Sequence, residues 1–78
     1  MRVDLTLIER TDYLIRARNT GTPVEFAKRL GLSLATWHNL RREMQRWGAP
    51  IGYSKISRTY YYKESGRFPV GFVRFSAN

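Results

Sequence analysis

Ser33, Thr36, His38, Asn39, Arg41, Arg42 and Arg46 crowd into one short stretch, SLATWHNLRREMQR. Hydroxyls, an amide, an imidazole and guanidinium groups make a hydrogen-bonding set, and their spacing on a helix decides its use. Ala35, His38, Asn39 and Arg42 recur at three- and four-residue intervals, so they share one face, with Arg46 one turn further on. An Arg presented in this way can bridge O6 and N7 of a guanine, and an Asn can bridge N6 and N7 of an adenine. Each such contact is worth about 1–3 kcal/mol of base discrimination. Ser33 and Thr36 at the helix start could donate to a phosphate, an anion that the N–H groups and dipole there also favour. Arg41 and Arg46, with Lys28 and Arg29 on the preceding helix, could meet the backbone phosphates that position a protein without reading sequence. The bland reading of the arginines is a solvated face partly paired with Glu43.

The same residues make poor catalysts. Ser33, Thr36 and His38 are neighbours on one helix and cannot supply nucleophile, base and orienting group in line. His38 is the only histidine and there is no cysteine, which leaves a metal without its usual ligands. Glycine-rich phosphate loops and paired carboxylates are absent as well. Neither an enzyme nor a cofactor- or metal-dependent protein is expected, and no small-molecule ligand is evident.

The elements that position these groups are legible. Thr22-Pro23-Val24-Glu25 reads as a capping box with proline where its missing N–H costs nothing, so a helix is expected over 23–30. Gly31 can take the left-handed conformation that closes it. Ser33 offers a fresh N-cap for a helix over 34–47, stopped by Gly48 and Pro50. Trp37, Leu40, Met44 and Trp47 recur at helical spacing and should face the core. Before these, a helix over 5–19 is capped by Asp4 or Thr6. It puts Leu7, Ile8, Thr11, Leu14 and Ile15 inward and Arg10, Asp12, Arg16 and Arg18 outward. Two helices joined by a short glycine-containing turn, the second one basic, are the pattern of a helix-turn-helix.

Beyond Pro50 the period changes to two. Residues 51–63 read as a β-hairpin whose basic tip carries Lys55 and Arg58, placed to reach a phosphate or the minor groove. Tyr60 and Tyr62 should point inward, with Thr59, Tyr61 and Lys63 on the other face. Glu64 to Arg67 reads as a turn. An apolar run over 68–75 then suggests a buried C-terminal strand or an interface. Phe68, Val70, Phe72 and Phe75 are the residues through which a homodimer would form.

Composition bounds the rest. Seventy-eight residues make one small domain, which buries only about 60% of its unfolded surface. Lys and Arg total 14 against 6 Asp and Glu, a net charge of +8. Beyond Glu43 the only acid is Glu64. A basic domain of this kind has the electrostatic footprint of a nucleic-acid binder. The N-terminal stretch carries charges throughout, with no continuous apolar run, so a cytoplasmic, nucleoid-associated protein is expected.

Leu30-Gly31, the Ser33-Leu34-Ala35-Thr36 helix start, Arg41-Arg42 with Gly48, and the hairpin from Ile51 to Tyr62 together resemble a known scheme. It is the winged helix-turn-helix of DeoR-like and biotin-repressor-like bacterial regulators. With the first helix, the resemblance covers about three-quarters of the chain. It implies an α+β winged helix: a three-helix core followed by a hairpin wing and a C-terminal extended strand. It also implies double-stranded DNA as partner and a role in transcription regulation or as an accessory DNA factor. One departure stands out. Leu34 and Ala35 occupy positions that are usually polar or basic in that family, which puts base-specific reading in doubt more than DNA binding. A protein-docking winged helix and a non-specific DNA or RNA binder are the alternatives.

Overall fold

A computed structural model describes residues 4–67 and 73–74 of the chain. They form a small α+β structure of three helices followed by an antiparallel hairpin, in the order α1 (Leu5–Arg16), α2 (Pro23–Leu30), α3 (Leu34–Arg46), β1 (Ile51–Ser54), β2 (Thr59–Tyr62), β3 (Gly66–Arg67) and β4 (Val73–Arg74). β1 pairs with β2 in the register Ile51 to Tyr62 and Ser54 to Thr59. β3 pairs with β4, also antiparallel.

Each helix start follows its sequence signal. Asp4 accepts the Leu7 N–H at 2.8 Å, and Ser33 accepts that of Thr36 at 3.1 Å. Thr22 and Glu25 close a reciprocal capping box, the Thr22 N–H meeting Glu25 Oε1 at 2.9 Å. Gly31 ends α2 at φ +72°, in the left-handed region where a Cβ is penalised. The α2 to α3 connection is therefore only Gly31, Leu32 and Ser33, which fixes the two helices closely against each other.

The core is assembled from the three helices and the β1–β2 hairpin: Ile15 of α1, Phe26, Ala27 and Leu30 of α2, Trp37, Leu40 and Met44 of α3, Ala49 just after it, and Ile51, Tyr60 and Tyr62 of the hairpin. Its centre is aromatic. Trp37 meets Phe26 edge-on at 4.6 Å between ring centroids and Tyr60 at 5.1 Å, and Tyr53 packs on Tyr60 at 4.9 Å with the rings tilted. Such pairs add roughly 0.5–1.5 kcal/mol each beyond the area they bury. Tyr60 and Tyr62 point inward as their period predicts.

Several expectations are corrected. The first helix ends at Arg16 rather than residue 19, because Arg18 adopts φ +52° and turns the chain away. Asp12 is buried, not outward: Tyr62 Oη donates to its Oδ1 at 2.8 Å and Arg16 Nε to its Oδ2 at 3.0 Å. Burial, then the bond to Asp12 and its charge, hold the Tyr62 phenol well above its ordinary pKa, so it remains a donor. The third helix ends at Arg46, and Trp47, expected in the core, is 64% exposed. It caps a helix that ends two residues past Met44. The chain then reverses at Gly48, φ +101°, and Ala49 takes the buried place. Gly66 and Arg67, read as part of a turn, form β3. Of the C-terminal strand expected over 68–75, β4 is the described portion. Phe68, Val70, Phe72 and Phe75, and with them the dimer surface, lie outside the described residues.

Thr59 is also buried, 4% exposed rather than on the outer face, and it has a counterpart 39 residues away. The Thr20 hydroxyl accepts the Tyr60 N–H at 2.8 Å, and the Thr20 N–H donates to Thr59 Oγ1 at 3.2 Å. The loop between α1 and α2 thus satisfies a backbone donor on the edge of β2 that β1 does not take, and fastens the hairpin to the helices. We predict that Thr20→Val, which keeps the shape but removes that acceptor, destabilises the fold by about 1–3 kcal/mol. A urea midpoint unchanged from the parent would refute this.

Candidate nucleic-acid interface

Trp37, Leu40 and Met44 drive one side of α3 into the core, and the opposite side is thereby obliged to face solvent. Ala35, Asn39, Arg42 and Arg46 are exposed there, while His38 and Arg41 are half-buried along its flank. The stripe expected from spacing is therefore displayed, but its members are not equally available.

Asn39 Oδ1 accepts a hydrogen bond from Arg42 Nη2, so the two side chains form one unit one turn apart. The amide nitrogen of Asn39 and the remaining guanidinium donors of Arg42 stay on the exposed face. Arg41 is held differently. Its Nη2 lies 3.4 Å from His38 Nδ1, and its Nε is buried with no hydrogen-bond partner among the described residues. With Nδ1 accepting from Arg41, the proton of a neutral His38 sits on Nε2, the atom left to donate. Arg46 pairs with Glu43 at 3.0 Å, both well exposed. Such a pair is worth about 0–1 kcal/mol, so exchanging Glu43 for a phosphate costs little.

At the start of α3, the Ser33 hydroxyl donates to Thr36 Oγ1 at 2.9 Å while accepting the Thr36 N–H. That proton is thus engaged within the cap, and the Thr36 hydroxyl is the group left to donate outward. On α2, Lys28 is exposed, whereas Arg29 Nη1 donates to the Asn19 carbonyl at 2.7 Å and braces the preceding loop. Thr36 and Lys28 thus suit a phosphate better than Ser33 and Arg29 do.

The hairpin tip spans residues 55–58, all exposed, and Arg58 adopts φ +52°. Glu25's carboxyl is held below the ordinary carboxylate range first by the Thr22 backbone N–H and its hydroxyl, with the Arg29 and Arg58 charges adding smaller pulls. The Arg58 charge thus reaches the first turn of α2, and no hydrogen bond or ion pair joins Lys55 or Arg58 to the α3 stripe among the described residues.

Two features escaped the sequence reading. Arg18 lies over the Tyr61 ring, 5.3 Å from its centroid, and with Arg16, Lys63, Glu64 and Ser65 lines an open cavity of about 430 Å³ below Ile15 and Tyr62. The contributing segments are far apart in sequence, and no local pattern links them. The second is Ile56, which the spacing puts at the tip without a role and which the structure leaves almost wholly exposed. Among the described residues no cluster of His, Cys, Asp and Glu could hold a metal, and no helix is long and apolar enough to cross a membrane.

Comparison with protein-family models, with curated proteins and with solved structures finds no match to the chain. The functional reading therefore rests on the chemistry of this surface rather than on kinship.

Proposed function

We propose that the chain is a winged helix-turn-helix protein that binds double-stranded DNA, as a small transcription regulator or accessory DNA factor. The exposed face of α3 enters the major groove, and the basic hairpin tip reaches the flanking backbone. The observation that carries this reading is the linked Asn39–Arg42 pair on the outward side of a helix whose other side is locked into the core. A planar fork of donors on a rigid element suits a base edge, and rigidity limits the ordering cost of binding. The net charge of +8 supplies the long-range attraction to phosphates.

The test is selection from a random duplex library. An enriched motif is expected, and two-fold symmetry in it would indicate a dimer on the DNA. If Lys28, Arg46, Lys55 and Arg58 each neutralise one phosphate, the log–log salt slope is about −3.6, a loss of roughly 150-fold between 50 and 200 mM salt. A duplex affinity flat across that range would refute the phosphate contacts.

A second reading draws on Leu34 and Trp47, 39% and 64% exposed at the two ends of α3. Apolar groups in those places suit a protein-docking surface better than a groove. Absence of any duplex binding near physiological salt would select it, and preferential capture of structured RNA would select an RNA-binding role instead.

A further inference from the structure

Hairpin tips are ordinarily built from glycine, asparagine, aspartate, serine and proline. Here the tip presents Ile56, 97% exposed and the most solvent-accessible of the large apolar side chains described. The tip is nonetheless ordered. The Ser57 N–H donates to Ser54 Oγ at 3.1 Å, and the next residues after Arg58 are Thr59 and Tyr60, each 4% exposed and tied to Thr20. A β-branched side chain with few rotamers is thus held out on a firm base. On either side of it in the chain, Lys55 and Arg58 are exposed cations.

An apolar point between two cations matches a surface that is apolar between two anionic rails. The minor groove of a duplex becomes such a surface where a base step opens: it is about 6 Å wide and bordered by phosphates, and its floor of polar base edges gives way at a kink to the apolar faces of the bases. We propose that Ile56 is a wedge which enters the minor groove, partly unstacks one base step and bends the duplex. This rests on duplex DNA being the ligand, and adds to that reading a deformation of the DNA and a preference for steps that kink easily. Flexible pyrimidine–purine steps would be favoured at a position no side chain reads by hydrogen bonding. An anionic membrane is a poorer match, because even a whole myristoyl chain gives only marginal anchoring and Ile56 offers far less apolar surface.

The test uses the full chain and a duplex of about 30 base pairs, rich in TA and CA steps, carrying a donor and an acceptor dye at its ends. The parent is expected to bind and to raise energy transfer, in keeping with a bend of roughly 20–90°. Ile56→Ser should still bind, about 3- to 10-fold more weakly, with transfer at the level of free duplex and an unchanged salt slope because no cation is lost. Ile56→Met, which retains an apolar wedge, should restore the bend. Since Ile56 contributes nothing to the core, these variants fold as the parent does. Bending by Ile56→Ser equal to the parent's, or parent binding that leaves the duplex straight, would overturn the wedge while leaving DNA binding intact. Failure of the parent to bind the duplex at all would remove both.

Discussion

Trp37→Ala should bring the chain close to unfolding, with a loss of about 3–5 kcal/mol. Trp37 has no exposed surface and holds together Phe26 of α2 and Tyr60 of β2, so its removal leaves a cavity bordered by both other layers. A domain of this length commands roughly 4–12 kcal/mol in total, which makes the loss a large share of it. Urea denaturation followed by far-ultraviolet circular dichroism measures the effect directly, free of the signal from the exposed Trp47. Trp37→Phe separates packing from polarity. The Trp37 Nε1 is buried with no hydrogen-bond partner among the described residues, a burden of about 1–3 kcal/mol that phenylalanine removes while keeping a ring against Phe26 and Tyr60. We expect Trp37→Phe to lose less than about 2 kcal/mol, well under the usual penalty for emptying an aromatic site. Equal destabilisation by Ala and Phe would show that the indole's full size, rather than an aromatic ring, is required.

Arg42→Ala is expected to weaken duplex binding about 5- to 150-fold, the equivalent of 1–3 kcal/mol, and to relax sequence preference at one position. The prediction follows from the exposure of Arg42 and from its bond to Asn39. Because Asn39 bonds the guanidinium, on the proposed reading the two side chains would not contact separate bases independently. Removing both should cost less than the sum of the single losses, with a coupling of about 0.5–3 kcal/mol in a double-mutant cycle. Arg42→Lys keeps the charge but loses the planar fork, so it should preserve the salt slope and still lose preference. Affinity and preference unchanged in Arg42→Ala would exclude Arg42 from the interface. A drop that Lys restores in full would reduce Arg42 to a phosphate contact.

The helix starts, and the stops of the second and third helices to within a residue, were legible because their signals are local, while the stop of the first was not. A Thr–Glu box, a serine two residues after Leu-Gly, and glycines after the last turns act within a few residues, where the sequence states the chemistry directly. Asp12 was misplaced although its position was legible too: residues 8, 11, 12 and 15 form one helical stripe. Its charge argued for solvent, and the partner that permits burial, the Tyr62 hydroxyl, lies 50 residues away. Trp47 shows the opposite failure. Its spacing from Leu40 and Met44 is correct for the core, but the periodicity of a helix says nothing about where the rest of the protein stops.

The candidate site divides in the same way. Which residues of α3 face outward follows from the sequence, because Trp37, Leu40 and Met44 leave no other face to present. The sequence could not say how those residues are engaged. Asn39 with Arg42, Arg41 with His38 and Arg29 with the Asn19 carbonyl are choices among rotamers, whereas the pairing of an arginine with Glu43 could be read from spacing on the helix. Only neighbouring atoms in three dimensions select among them. The same holds for the Thr20–Thr59 link and for the approach of Arg58 to Glu25. Local signals determined the elements and their exposed chemistry. The tertiary structure alone decided burial of charge, the reach of each cation and the exposure of Ile56 and Trp47, because each depends on contacts or boundaries remote along the chain.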